Sequence, residues 1–109
     1  MANNYKNAKV DLTGTGATVL YTAPNATTTL IKSLLVSEDS GNADTITVTI
    51  TDAASSLATF SLFKVKAVGA NATVELLTQP LVVQEDEIIK VTAATGNRLH
   101  VVASLLEIS

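Results

Sequence analysis

The stretch from Asp44 to Asp52 constrains the fold more than any other part of the chain. Ile46, Val48 and Ile50 alternate there with four threonines. Because successive side chains of a strand point to opposite faces, this alternation predicts a half-buried β-strand. Every residue inside the stretch is β-branched, which favours a pleated strand over a helix. We therefore expect a protein built mainly of β-sheet.

Shorter stretches of the same kind recur along the chain, separated by turns that contain Gly, Asn, Asp and Pro. The predicted strands are 8–12, 17–22, 28–37, 44–52, 58–67, 72–77, 81–83, 88–93 and 99–108. This spacing is typical of an all-β, antiparallel β-sandwich, jelly-roll-like, with eight or nine short strands. Residues 1–7 carry no such pattern and are predicted to form a flexible N-terminal arm, so that the sandwich domain spans residues 8–109.

Two of the predicted strands depart from simple alternation. The third is apolar on both faces, with Leu30, Leu34 and Val36 on one face and Ile31 and Leu35 on the other if the alternation is strict. The fifth changes the phase of its apolar residues half-way along. Such a change predicts a β-bulge or a strand that is buried on both sides.

The chain is poor in charge, which narrows the classes of partner. Only 16% of its residues are charged and 47% are hydrophobic, whereas about 25% of an average protein is charged. A net charge of −3 argues against a nucleic-acid-binding protein. No apolar run approaches the roughly 20 residues that span a membrane, so no membrane partner is expected. A small domain of this composition is short of polar surface, and we expect other protein molecules to bury part of its exterior.

We expect this contact surface on the N-terminal arm and on the two strands that are apolar on both faces, 28–37 and 99–108. The candidate interface residues are Tyr5, Leu30, Ile31, Leu34, Leu35, Leu99, Val101 and Leu105. A surface of this kind predicts contact with other protein molecules.

No pattern in the sequence predicts a catalytic, cofactor-binding or metal-binding site. His100 is the only histidine, and a lone histidine supplies neither a second ligand nor a paired base. The acidic residues of 39–44 and 85–87 lack the alternating spacing of a calcium loop and are predicted to be solvated turns. With no cysteine and no patterned pair of acids, we do not expect an enzyme.

Two parts of the sequence resemble small β-sandwich virion proteins of tailed bacteriophages. The first part is LYTAP at residues 20–24, followed by IKS at 31–33 and VS at 36–37. The second part, residues 75–93 and 101–108, is similar to the endings of those proteins. A Gly-Asp turn usually precedes the penultimate strand there, whereas this chain has Glu85-Asp86. The resemblance covers roughly residues 19–108.

The resemblance implies a capsid decoration (cement) protein, which binds the lattice of the major capsid protein as a symmetric oligomer, with a trimer favoured. A tail or neck accessory protein of the virion is the alternative. The location implied is the virion, assembled in the host cytoplasm, and the resemblance supplies no catalytic residues. A receptor- or glycan-binding module with Tyr21 in its site is a further alternative, although the chain has no Trp.

Overall fold

The computed structural model describes residues 3–52 and 58–109, in which nine strands form two antiparallel sheets. The strands are β1 (Asn3–Leu12), β2 (Thr18–Thr22), β3 (Thr28–Glu38), β4 (Asp44–Thr51), β5 (Thr59–Val68), β6 (Thr73–Glu75), β7 (Leu81–Val83), β8 (Ile88–Ala93) and β9 (Leu99–Ile108). Every predicted strand is present, and apart from the start of β1 its ends agree closely with the prediction. This part of the chain holds no helix of the length and apolarity that a membrane span requires.

The two sheets face each other as the layers of a β-sandwich. One sheet has the order β1-β9-β3, with both β6 and β7 paired to the other side of β3, and the second has the order β2-β8-β4-β5. Most connections carry the chain from one sheet to the other, so consecutive strands rarely lie side by side. This is the strand order of a jelly roll. The predicted antiparallel sandwich is confirmed.

The core lies between the sheets and consists of inward side chains from the central strands. Ile46 and Val48 of β4 are fully buried, and Ile50 packs against the core from the same face. Leu99 and Val101 of β9 are fully buried on the side of the opposite sheet. Complete burial of an aliphatic side chain of this size contributes about 1.5–3 kcal/mol. The alternation that predicts β4 therefore belongs to a strand at the centre of the fold.

A bulge in β3 changes which of its side chains face the core. The pairing of β3 with β9 gains one extra residue at Lys32. Ile31 therefore lies on the inner face with Leu34, and both are fully buried. Leu30 and Leu35 lie on the outer face instead. The strict alternation that grouped Ile31 with Leu35 is wrong because an unpaired residue reverses the phase of a strand.

The change of phase in β5 is a real irregularity of the sheet. The pairing of β4 with β5 shifts between Ile46 and Val48 and again between Val48 and Thr49. Val65, in the same part of β5, has a φ of 54°, which a β-branched residue rarely adopts. The predicted β-bulge in this strand is confirmed.

Strand β1 begins at Asn3, five residues before the predicted start at residue 8. Residues 3–7 pair with β9 in an unbroken register, while their side chains are exposed. Backbone pairing needs no apolar alternation, which is why the side-chain pattern does not reveal this half of the strand. The role of residues 1–7 as an arm that contacts a partner stays a prediction. Residues 53–56, where the sequence predicts the turn between β4 and β5, lie outside the described residues.

Candidate interaction surface

The outer face of the five-stranded sheet carries rows of side chains that the strand register aligns. The first row, called here the apolar row, consists of Tyr5, Leu106, Leu30 and Val82 on β1, β9, β3 and β7. Tyr5 and Val82, at its two ends, are 75% and 49% exposed, whereas Leu106 between them is only 8% exposed. Leu106 is nevertheless not part of the core cluster. A contiguous apolar patch on a surface marks an interaction site more often than scattered apolar residues do.

The second row combines an apolar centre with charged ends. It consists of Lys9, Val102, Leu35 and Glu75, on β1, β9, β3 and β6. Leu35 is 38% and Val102 36% exposed. The two rows together place four exposed apolar side chains on one face, on either side of a polar row formed by Asn7, Ser104 and Ser33. A cation lies at one edge of the sheet and a carboxylate at the other. Apolar side chains next to polar and charged ones are usual in a protein–protein interface.

Lys32, the bulged residue of β3, also contributes to this face. Its Nζ lies 5.5 Å from the centroid of the Tyr5 ring. A cation over an exposed aromatic ring contributes about 0.5–1 kcal/mol. The bulge thus places a positive charge on the apolar row, next to the Tyr5 ring.

Glu75 is fixed at the opposite edge by hydrogen bonds to β3 and to its own turn. The Ser33 hydroxyl and the Leu34 N–H donate to its carboxylate, the latter at 2.7 Å, and the Leu77 N–H donates at 3.2 Å. Partial burial would raise the pKa of Glu75, but these hydrogen bonds outweigh it and lower the pKa below its usual value. The negative charge at this edge is therefore a stable feature at neutral pH.

A further row on the same face is polar and includes His100, the only histidine of the sequence. His100 Nε2 lies 3.2 Å from Asp11 Oδ1, and His100 Nδ1 lies 3.6 Å from Asp39 Oδ2. The two ring nitrogens point to different carboxylates, so the three groups do not converge on one ligand. Within residues 3–52 and 58–109, no group of three or more His, Cys, Asp or Glu side chains is arranged to hold a metal ion.

The eight candidate interface residues fall into two groups. Tyr5, Leu30 and Leu35 lie on the outer face and reach the surface. The other five, Ile31, Leu34, Leu99, Val101 and Leu105, are buried in the core. These five face the second sheet and have no surface left for another molecule. The interface stays a prediction. Of the eight candidates, only the three residues on the outer face can still take part in an apolar contact.

Val82 and Val102 belong to the same surface but are absent from the sequence-based set. Both follow the period-two pattern of their strands, in which Leu81 and Val83, or Val101 and Ala103, flank them. This pattern assigns them to one face of a strand without saying whether the second sheet covers that face. Only the pairing of β3 with both β7 and β9 shows that they share an outer face.

Tyr21, the residue considered for a glycan site, lies between the two sheets. Its hydroxyl donates to Glu107 Oε2 at 2.6 Å and lies 2.7 Å from Thr29 Oγ1. Lys6 Nζ approaches the other oxygen of Glu107 at 3.3 Å. Burial, reinforced by the hydrogen bond to Glu107, raises the pKa of Tyr21 to about 12. The ring therefore joins the sheets and is not exposed to a ligand.

Several solved structures have a similar fold, although no family model and no curated protein matches the sequence. A chain from Bacillus endospore appendages, which form disulfide-linked pili, matches 98% of this chain and 88% of its own length, with a TM-score of 0.54 and 10% identity. Chains from infectious bursal disease virus match 98% (Gt strain) and 97% (Gx strain) of this chain with TM-scores of 0.53, at 11% and 13% identity. This chain spans 30% of the length of each viral chain.

At these identities the likeness shows the fold alone. The sandwich is shared with components of a pilus and of a virus particle, which are both protein assemblies. The 109 residues contain no cysteine, so a disulfide linkage like that of the appendages is not available within this sequence.

Proposed function

We propose that this protein is a structural subunit of a bacteriophage virion, and that it decorates the capsid without catalysing a reaction. The observation that carries this proposal is the outer face of the five-stranded sheet, where Tyr5, Val82, Leu35 and Val102 are exposed together. The fold, shared with components of a pilus and a virus particle, and the resemblance to phage virion proteins support it. The outer face would contact the lattice of the major capsid protein.

The exposed apolar area is suited to a contact that is weak in one copy and strong in many. Each of the four side chains is only partly exposed, so its complete burial contributes on the order of 1 kcal/mol. The loss of rotational and translational freedom offsets much of such a sum in a single contact. Several copies joined in one symmetric oligomer would bind together with far higher avidity. The resemblance favours a trimer, and the mass of the purified protein measures the number of copies.

The location on the particle separates decoration from a role in the tail or neck. The test is electron microscopy of virions purified from the phage that encodes this chain, labelled with antibodies against the purified protein. We expect label on the head. Label on the tail or neck would favour the alternative role, and unlabelled virions that lack the chain would overturn the assignment to a virion.

Binding through the outer face is tested by co-sedimentation of the purified protein with capsids that lack it. The double variant Leu35→Glu/Val82→Glu places one negative charge in each of the two rows of the outer face. We expect capsid binding to fall at least about tenfold, which corresponds to about 1.4 kcal/mol. Val19→Glu is the matched control, because Val19 is 51% exposed on the other sheet. Equal loss of binding in both variants would contradict the assignment of this face.

A further inference from the structure

Both edges of the four-stranded sheet are protected against pairing with another strand. The edge strand β5 contains the irregular pairing described above, the left-handed Val65, and two exposed lysines, Lys64 and Lys66. The edge strand β2 has five residues, and its register shifts between Val19 and Tyr21. Bulges, lysines and short length are the usual means by which sheet edges avoid pairing with other chains.

One edge of the five-stranded sheet is also interrupted. Strands β6 and β7 have three residues each, and Pro80 directly precedes β7. Between them the carboxylate of Glu75 takes the place of a strand and accepts the hydrogen bond of the Leu34 N–H. Two short pieces with a proline between them do not offer a continuous ladder to a neighbour.

Strand β1 is the fourth edge and differs from the other three. Its ten residues pair with β9 from Asn3 to Leu12 without a register shift, and they include neither proline nor glycine. The strand does carry two exposed lysines, but Lys6 is paired with Glu107 and Lys9 donates to Asn7 of the same strand. In an antiparallel ladder alternate residues direct both backbone groups to the neighbouring strand. The Leu12 carbonyl accepts from the Asn97 N–H just before β9, which assigns the even-numbered residues to the β9 side. The odd-numbered residues, Tyr5, Asn7 and Lys9 among them, then direct their N–H and C=O groups outward.

We infer that β1 pairs with β1 of a second copy of this chain, antiparallel and across a two-fold axis that passes beside Asn7. This inference deepens the proposed function, on which it rests, because it names a contact that builds a symmetric oligomer. A two-fold contact gives a dimer, and in this the inference departs from the trimer that the resemblance favours. The two five-stranded sheets become one continuous sheet. The axis is perpendicular to that sheet, so the apolar rows of both copies face the same side and could bind one surface together.

The charges on β1 favour a register centred on Asn7. In this register Lys9 lies opposite Tyr5 of the second copy, and a lysine beside an aromatic ring is a favourable cross-strand pair. On the inner face Lys6 lies opposite Ala8. Registers centred on Lys6 or Lys9 would place two lysines directly opposite each other, which is destabilising. Asn7 at the centre carries no charge, and nine residues of each strand are paired.

Cross-linking tests this contact directly, because the chain has no cysteine that could interfere. In the proposed pairing the two copies of position 7 are an opposed pair with a Cα separation of about 5.5 Å, within the range that a disulfide spans. We expect the variant Asn7→Cys, under mild oxidation at tens of micromolar, to form a covalent dimer. Ser104→Cys is the matched control. Ser104 is exposed, pairs with Asn7 in the β1–β9 register, and lies one strand inward. Its two copies would be roughly 14 Å apart.

The expected result is that Asn7→Cys cross-links at least about tenfold faster than Ser104→Cys, since thiols held together have an effective concentration in the millimolar range. The two thiols react by the loss of two electrons and two protons to the added oxidant, diamide. Equal rates for the two variants would overturn the inference. A dimer that forms through Ala8→Cys and not through Asn7→Cys would overturn the register.

Light scattering of the uncross-linked protein is the second measurement. We expect wild-type protein to have the mass of two chains or a multiple of two. Asn7→Lys, which opposes two like charges at the axis, should weaken the dimer about tenfold, while Ser104→Lys should not. A wild-type mass of one or three chains, unchanged in Asn7→Lys, would overturn the inference. Capsid binding is measured separately. If the protein binds capsids but β1 does not pair with β1, only the proposed contact is contradicted. If β1 pairs with β1 but the protein does not bind capsids, the proposed function is contradicted.

Discussion

Among single residues, Tyr21 makes the clearest connection between the two sheets. The variant Tyr21→Phe removes the hydroxyl that donates to Glu107 and leaves the buried Thr29 hydroxyl without this neighbour. We expect the free energy of unfolding to fall by about 1–3 kcal/mol, the usual cost of an unsatisfied buried polar group. The measurement is urea denaturation at neutral pH. Tyr5→Phe is the matched control, because Tyr5 is exposed, and an equal loss in both variants would contradict the structural role of Tyr21.

The pKa of Tyr21 gives the same contact a signature in alkaline solution. The folded pKa of about 12 exceeds the usual value of 10.0, so the neutral hydroxyl stabilises the fold fully below pH 10. This contribution is lost as the pH rises from 10 through 12, because the unfolded chain then releases the proton more easily. We expect Tyr21→Phe to flatten the fall of the melting temperature in this range. A wild-type melting temperature that does not change there would contradict the raised pKa.

Glu38 is the corresponding group in acidic solution. Burial would raise its pKa, but the Ser40 hydroxyl and the N–H groups of Asn71, Ser40 and Gly41 donate to its carboxylate, and they lower the pKa from 4.5 to about 2. Its contribution to stability is therefore complete above pH 4.5 and is lost as the pH falls through 2. We expect Glu38→Gln to lower the melting temperature at neutral pH. The variant should also reduce the dependence of the melting temperature on pH between pH 2 and pH 4.5. Glu85→Gln, in an exposed turn, should leave both unchanged.

For strand β3, the bulge at Lys32 makes opposite predictions for two adjacent leucines. Leu34 is fully buried and Leu35 is 38% exposed. We expect Leu34→Ala to lower the free energy of unfolding by about 2–5 kcal/mol, and Leu35→Ala to lower it by only about 1 kcal/mol, because its side chain is already partly exposed. Urea denaturation of the two variants measures both values. A larger loss for Leu35→Ala than for Leu34→Ala would mean that the strand has no bulge and that its faces are reversed.

For strand β5, the positive φ of Val65 predicts that a smaller residue is better tolerated there. A non-glycine residue in this conformation costs about 1–3 kcal/mol, whereas glycine in a strand costs about 0.5–1 kcal/mol in conformational entropy. Since Val65 is 60% exposed, little burial is lost, and we expect Val65→Gly to stabilise the protein by up to about 1 kcal/mol. Val19→Gly should destabilise it, because Val19 is similarly exposed but has no positive φ. Equal destabilisation by both variants, measured by thermal melting, would contradict the backbone conformation of Val65.

The same two strands show how much of the fold the sequence could predict. The period-two pattern of β4 identifies a strand and its buried face, because every residue from Thr45 to Thr51 is β-branched and no extra residue in β4 disturbs the phase. In β3 the apolar residues on both faces also identify a strand. They cannot assign the faces, because the bulge at Lys32 leaves no mark in the hydrophobicity pattern. The first half of β1 is held by backbone pairing with β9 and by the contacts of Lys6 with Glu107 and of Tyr5 with Lys32. Residues 3–7 have no apolar pattern to detect.

At the level of the whole molecule, the candidate surface depends on which strands become neighbours. Tyr5, Leu35 and Val82 are far apart in the sequence, and only the order β1-β9-β3 with β7 brings them to one face. The composition does predict that some exterior is apolar. It cannot say which face this is, because the burial of a strand face depends on the second sheet. The five predicted interface residues that lie in the core were misplaced for this reason.

The strand order also predicts slow but cooperative folding. Nearly every strand pairs with one that is distant in the sequence, as β1 does with β9. Folding rates fall when contacts are long-range, and all-β sandwiches typically fold in milliseconds to seconds. We expect stopped-flow refolding in this range and a single equilibrium transition in urea. Refolding in microseconds, or two separate transitions for the two sheets, would contradict a single cooperative sandwich.

The position of β9 between β1 and β3 has a consequence for synthesis in the cell. A ribosome makes β9 after all the other strands, so β1 and β3 exist for a time without the strand that joins them. A nascent chain that has not reached residue 99 exposes both of these edges together with the apolar residues of a half-built core, which is the condition in which chains aggregate. Chaperones that hold unfinished chains would therefore act on this sandwich until β9 emerges from the ribosome.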